Sequence, residues 1–524
     1  MNQNNISAAE LFQRVRELLM LPELKPQTRN KMMHDTLILC CHEGVKDTKQ
    51  AFGNLFSQVD YLCKARGIKV ADKIAIQTMR RHSNSQEPLS GEDLKYDARA
   101  LALFISAVFG VDDPHELNVL NPHTPRPYQK GLEINNRRIR CIVKNWDGDF
   151  IRVDIDQDAD EEEYLVQLKD EENHIDHTYL WDILKEGMQL NLLDCQVKQP
   201  IITPRLIVVE PDYLVDISSI ATCFTAFGHH PLLYLLNLMK PRANTQATLL
   251  GNFAGAALDD IINSHGKYQM NETVKTNFRE KALEFCTCPW FDPKKFYTDA
   301  SLQAFNLQQV VDILFPRTAS QAQMTALRGE SLYDRKKAIL EPSFVCEALG
   351  IQGRVDLMTT DCKLLVEQKS GRNMNIENHQ VDPGYHSYQL EPHYVQLLLY
   401  YGVLQHNFKL SNDRVNIRLL YSKYRPQDGL MVVAYYQKLF KEAIQYRNQL
   451  VAASFEIAKE GFEHALNEFT PEVLNVAGTQ DFFYNKYLKP QIEAITKPLH
   501  TLSPLEEAYF CRMMTFVLRE QMIS

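Results

Sequence analysis

GRVDLMTTDCKLLVEQKSG, residues 353–371, reads as a β-hairpin that puts two carboxylates and a lysine on one surface. Asp356 is expected within the first strand between Val355 and Leu357, with period-two alternation sending the acid to one face and its apolar neighbours to the other. Thr359 to Cys362 supplies the turn. In the second strand Leu365, Glu367 and Lys369 share a face, while Leu364, Val366 and Gln368 share the opposite one. Two carboxylates on neighbouring strands suit Mg2+ or Mn2+, which take hard oxygen ligands and keep waters for a substrate phosphate. A lysine two residues on can orient the attacking water or stabilise charge in the transition state. Hydrolysis of a phosphodiester is the natural use of such a set. A surface hairpin with an ordinary cross-strand Lys/Glu pair fits the same spacing, so the hairpin alone leaves both readings open.

The segment EPHYVQLLLYYGVL, residues 391–404, puts His393, Gln396 and Tyr400 on one helical stripe at i, i+3 and i+7. With this helix following VEQKSG, the chain resembles the RecB-type branch of the PD-(D/E)xK nuclease superfamily. It is most similar to the nuclease half of the replication helicase-nucleases that process DNA flaps and broken ends. The resemblance implies that Asp356 and Glu367 are metal ligands, that the Gln368 carbonyl is a third, and that Lys369 is catalytic. Gln396 and Tyr400, with His393 on the same stripe, would line the DNA path. Glu341 lies where related nucleases carry an extra acid, and is expected as a helper rather than a ligand.

The similarity runs from about Arg205 to Ala452. PRLIVVEPDYLVDISSIATCF, residues 204–224, resembles the opening of the nuclease domain, and the strand NIRLLYSKY followed by a helix bearing Arg447 and Asn448 resembles its close. Two features depart from the family. Cys223 stands near the position of the first iron-sulfur ligand, but beyond Cys362 only Cys511 remains, so no four-thiolate cluster is expected. Gly251 matches the glycine of a Gly-x-x-x-His helix, but Gly255 stands where the metal-binding histidine should be. Asp259, Asp260 and His265 could compensate, although helix caps and solvated charges account better for such residues. Loss of that ligand keeps a DNA-binding pseudoenzyme in view.

The formal net charge of −9 implies that any nucleic-acid path is a local basic groove on an acidic body. Arg317, Arg328, Arg335, Lys336 and Lys337 are the best candidate for that patch. Lys64, Arg66, Lys69, Arg80, Arg81 and His82 form a second candidate surface. No run of residues is apolar enough to span a bilayer, no secretory leader is apparent, and the eleven cysteines suggest reduced thiols, so a cytoplasmic protein without a membrane partner is expected. G-x-x-x-x-G-K-S/T is absent; the Gly266-Lys267 pair is followed by Tyr268, and no ATP site is expected.

The fold expected is α/β: a RecB-type, restriction-endonuclease-like nuclease core with a helical N-terminal domain and a small β-barrel. Helical periodicity covers residues 1–125, and the proline-rich linker NPHTPRPYQKG follows at 121–131. Short alternating strands over 131–210 suggest an oligonucleotide-binding type of barrel, although the acidic run at 154–164 would repel phosphate. Residues 211–452 form the nuclease core, and 453–524 a helical extension that resembles the connector to a helicase half. The expectation is therefore a stand-alone nuclease, a nuclease subunit beside a helicase, or a fragment of a longer polypeptide. The reaction expected is hydrolysis of single-stranded or end-bearing DNA in replication, repair or recombination. Rival readings are a weak or inactive nuclease fold that binds DNA for a helicase partner, and a nuclease acting on RNA.

Overall fold

A computed structural model of the chain describes residues 6–20, 25–118, 132–155, 163–241, 244–264, 267–378, 383–410 and 414–523. The linker at 121–131, the acidic run over 156–162 and His265 lie outside the described residues. The chain is mixed α/β and carries a small closed barrel. At its centre is a six-stranded sheet of β1 (Ala51–Phe52), β2 (Ala338–Leu340), β3 (Leu357–Thr359), β4 (Leu364–Lys369), β5 (Asn416–Tyr421) and β6 (Leu430–Val432), in the order β1-β6-β5-β4-β3-β2. β4 runs parallel to β5 and antiparallel to β3.

Helices cover both faces of this sheet. α1 (Gln246–Asn263) and α2 (Pro293–Leu314) pack on one side, where Leu364, Val366 and Leu420 meet Phe253, Leu258 and Leu307. α3 (Glu391–Phe408) and α4 (Gln437–Glu460) pack on the other, where Leu365, Ile417 and Leu419 meet Val395, Leu399 and Ile444. Residues Leu364 to Gln368 are all buried, as a strand covered on both faces must be. Each buried aliphatic side chain contributes about 1.5–3 kcal/mol. A one-residue slip of β4 would carry Glu367 into the apolar α1/α2 layer, so packing fixes its register.

The strand expected around Asp356 is broken. A second sheet pairs Ser343–Cys346 with Ile351–Arg354, which runs parallel to Val215–Asp216. The register Ser343 with Arg354 continues beyond the break as Leu340 with Leu357 in the main sheet. Glu341 and Pro342 therefore stand opposite Asp356 and Val355. Pro342 has no N–H to give a ladder, and Glu341 adopts a left-handed backbone with φ of 48°. The pair bends there, leaving Asp356 at the junction of the two sheets rather than inside a strand. The turn falls within the expected residues, with the Cys362 amide donating to the Thr359 carbonyl at 2.8 Å.

The N-terminal region is mainly helical around a core that includes Leu37, Val59, Leu101 and Phe104. It also contributes β1, which runs parallel to β6 at the edge of the main sheet. The barrel closes through Asn136–Asp147, Phe150–Ile155, Tyr164–Gln167, Ile201–Val209 and Gln189–Lys198. Arg447 and Asn448 hold it to the core. The Arg447 guanidinium donates to the carbonyls of Val209, Glu210, Tyr213 and Gly350. Asn448 accepts from the Val209 amide at 3.0 Å and donates to the Ile207 carbonyl at 2.8 Å. The C-terminal helices share a core with Phe227 and the helix Leu232–Met239, so the expected boundary at residue 453 cuts through one packed unit.

Candidate active site

The alternation of β4 sends Glu367 and Lys369 toward α3, whose first turns present His393, Gln396 and Tyr400. Lys369 Nζ donates to Glu367 Oε1 and to Gln396 Oε1, each at 2.8 Å. Two oxygens thus hold the ammonium in one place. His393 Nδ1 lies 3.2 Å from the Tyr421 hydroxyl, which also accepts the Leu390 amide. Burial and the charge of Lys369 lower the His393 pKa to about 4, so this imidazole is neutral near pH 7.

Tyr400 does not line an open path. It is buried, and its hydroxyl donates to the Arg354 carbonyl at 2.7 Å. A side chain at Gly353 would come within 3.0 Å of the Tyr400 ring and hydroxyl, which explains the glycine on that strand. Tyr400 therefore braces the backbone two residues before Asp356. Gln368 divides its groups between the two sides of β4. Its amide N–H donates to Asp356 Oδ2 at 2.5 Å, while its side chain turns away to Ser422 Oγ at 2.7 Å.

Glu367 is only 2% exposed. Burial, reinforced by the negative charge of Asp356 and opposed by Lys369, pushes its pKa up to about 8. Burial also raises Asp356, against the Gln368 N–H and the charge of Lys369. Glu367 Oε1 takes the Lys369 hydrogen bond, but Oε2 is buried with no partner. An orphaned carboxylate oxygen beside a second, half-buried acid is the environment that a cation would relieve. Among the described residues no three His, Cys, Asp or Glu side chains gather into a ready-made metal cage. Two carboxylates are a sufficient protein share for Mg2+, which retains several waters.

Glu341 lies at the rim. Its amide donates to the Asp356 carbonyl at 3.0 Å and its carboxylate pairs with Arg354 at 3.0 Å. Arg354 is an exposed cation beside the acids that the alternating pattern does not single out; its only sequence signal is adjacency to Val355-Asp356.

The basic patches are largely committed elsewhere. Arg335 and Arg317 donate to the carbonyls of Ile261, Ile262 and Ser264 and so cap the C-terminus of α1. Lys337 pairs with Asp361 at 3.1 Å. In the N-terminal region Lys64 pairs with Asp60, Arg81 donates to Thr78 and His82 meets Asp97. Arg80 lies over the Phe56 ring, 5.0 Å from its centroid. Arg418 forms a buried pair with Glu330 at 2.7 Å, and Lys423 pairs with Glu377.

No protein-family model matches the chain, and no curated protein matches it. Among the described residues, no helix is long and apolar enough to cross a membrane.

Proposed function

We propose that the chain is a divalent-metal-dependent deoxyribonuclease with a RecB-type PD-(D/E)xK core. The single observation that carries this reading is Glu367: a buried carboxylate with one oxygen on Lys369 and the other unpartnered, next to the half-buried Asp356. Asp356 and Glu367 would hold Mg2+ or Mn2+, with the Gln368 main-chain oxygen as a further donor. When bound, the ion supplies water activation and charge neutralisation at phosphate. Lys369, held by Glu367 and Gln396, presents a localised positive charge that orients the attacking water and stabilises charge on the phosphoryl oxygens. Tyr400 fixes the approach of Asp356 through the Arg354 carbonyl. Single-stranded or end-bearing DNA is the substrate implied by resemblance, with a helicase as the implied partner.

The test is cleavage of end-labelled single-stranded and flapped DNA with Mg2+ or Mn2+, comparing wild type with Glu367→Ala and Lys369→Ala. Cleavage by wild type and its loss in both variants is expected; full cleavage by either variant overturns the assignment. A second reading, DNA binding without cutting, is favoured by the missing side chain at Gly255. EDTA-insensitive DNA binding by a folded wild type, with no cleavage in the presence of any divalent metal, would establish it.

A further inference from the structure

A cavity of about 480 Å³ lies between the N-terminal helices and residues 383–387, the stretch that leads into α3. Its wall runs against the net charge of −9, for among the described residues that line it there is no Asp or Glu. Five carboxamides stand there instead, from Gln27, Asn30, Asn54, Asn84 and Gln86. His34 joins the two sides, with Nδ1 3.0 Å from Ser83 Oγ and Nε2 3.2 Å from the Gly384 carbonyl oxygen. The 383–387 side is anchored in turn to the chain that follows Lys369, where Asn375 Nδ2 donates to the Ser387 carbonyl at 3.0 Å.

Arg80 is the charge that this wall leaves unanswered. Lys31, also in the wall, pairs with Asp35 at 3.3 Å. Arg80 instead donates through Nε to Gln77 Oε1 at 2.7 Å and lies over the Phe56 ring, 5.0 Å from its centroid. These contacts hold the side chain, while its two terminal nitrogens find no acceptor, and its charge no carboxylate, among the described residues. Leu55 and Phe56, which open the helix Leu55–Ala65, line the same cavity, so the positive end of that helix adds to Arg80. A second group lacks a partner. Asn30 is only 2% exposed, and its Nδ2 donates to the carbonyls of Ser85 and Glu87 at 2.9 and 3.0 Å. That fixes the amide and leaves Oδ1 buried with no donor. An unanswered cation and an unanswered acceptor in one wall suit a ligand that carries both an anion and N–H or O–H donors.

We propose that this cavity binds a nucleoside phosphate, with the phosphate on Arg80 and the start of the helix Leu55–Ala65 and the nucleoside against the carboxamides and Tyr385. A phosphate matches the planar fork of an arginine. Base edges carry the donors and acceptors that carboxamides pair with. Tyr385, 51% exposed in the opposite wall, offers a ring on which a base can stack. A free nucleotide and a nucleotide within a strand present the same groups. None of Asp356, Glu367 and Lys369 lines the cavity, so the proposal stands apart from the metal-dependent reading above.

Calorimetric titration of the full chain in EDTA with AMP, adenosine and inorganic phosphate tests this without cleavage. AMP should bind, with adenosine and inorganic phosphate each weaker by about 10-fold or more, the effect of losing charged hydrogen bonds or a stacked base. Arg80→Gln should weaken AMP binding by about 10-fold or more, whereas Arg81→Gln, which lies outside the wall, and Glu367→Gln should bind AMP like wild type. Gln86→Glu, at an exposed position of the wall, should weaken AMP by repulsion and decides the matter if Arg80→Gln does not fold. Displacement of AMP by a thymidine oligonucleotide makes the occupant a strand nucleotide; displacement only by its 5′-phosphorylated form makes it a strand terminus; no displacement makes it a free nucleotide. Absence of AMP binding, or adenosine or inorganic phosphate binding as tightly as AMP, overturns the proposal. So does wild-type affinity in a folded Arg80→Gln protein or in Gln86→Glu. Loss of AMP binding in Glu367→Gln also overturns it, because the nucleotide would then occupy the site on β4.

Discussion

Replacing Glu367 by glutamine should destroy cleavage and stabilise the metal-free protein. A carboxyl whose pKa rises from 4.5 to about 8 keeps its proton in the folded chain but loses it in the unfolded chain. Between those values the folded state binds more protons, so its relative stability falls as pH rises. The stabilising effect is complete below pH 4.5 and fully lost above about pH 8. At about 1.4 kcal/mol per unit, the span from about pH 5 to about pH 7 removes roughly 3 kcal/mol. Glutamine keeps an oxygen for Lys369 and does not titrate. Thermal melts in EDTA at about pH 5 and pH 7 should show the variant gaining several degrees over wild type between the two conditions, given roughly 2–4 °C per kcal/mol in domains of this size class. Added Mg2+ should raise the wild-type melting temperature and leave the variant unchanged. A variant that in EDTA is no more stable than wild type near pH 7 would refute the reasoning, because Glu367 would then be a satisfied structural ion-pair partner of Lys369.

Four further outcomes follow from named contacts. Tyr400→Phe removes the hydrogen bond to the Arg354 carbonyl; it should lower stability by about 1 kcal/mol and slow cleavage, read by melts and initial rates on one preparation. Arg418→Met leaves Glu330 buried without its cation; unfolding should become easier by about 3–5 kcal/mol, with most of the loss recovered when Glu330→Leu is added. Asn448→Ala cuts the side-chain bonds to Val209 and Ile207; hydrogen exchange should accelerate in the strand Ile201–Val209 before it does in β4. Gly255→His meets open space at its Cβ; the protein should fold with unchanged melting behaviour, and the added imidazole should tighten Mn2+ binding measured by titration.

The site was legible where chemistry coincided with a period. Glu367 and Lys369 fall two apart on a strand, and His393, Gln396 and Tyr400 fall on one helical stripe; the structure brings both groups to the same side of β4. The break at Asp356 was not legible from its own neighbours, since Val355 and Leu357 continue an apolar alternation. Its cause is on the opposite strand, where Pro342 has no N–H to donate and Glu341 turns left-handed. β1 is two residues long and has no pattern to read. Composition also misleads about arginines: Arg317 and Arg335 satisfy helix-end carbonyls, a role that needs the same charge as a phosphate contact but places it against the protein's own backbone.

The lysine and the metal need not compete for Glu367. Its two oxygens are already distinguished: Oε1 is held by Lys369, whereas Oε2 is buried, unpartnered and beside the acid of Asp356. Gln396 fixes Lys369 independently on its other side, and Tyr400 fixes the strand leading to Asp356. In the metal-free chain Glu367 keeps its proton up to about pH 8, and the two acids are held together by apolar packing on β4 and by these polar braces. That arrangement lowers stability in isolation and prepares a cation site, which is the trade expected when a fold is shaped around a ligand rather than around its own stability. Lys369→Met separates the two demands: it removes the cation that offsets Glu367, so it should push the Glu367 pKa higher while leaving Oε2 open. A Lys369→Met protein that binds Mn2+ but does not cleave would assign the lysine to the chemical step and the acids to the ion.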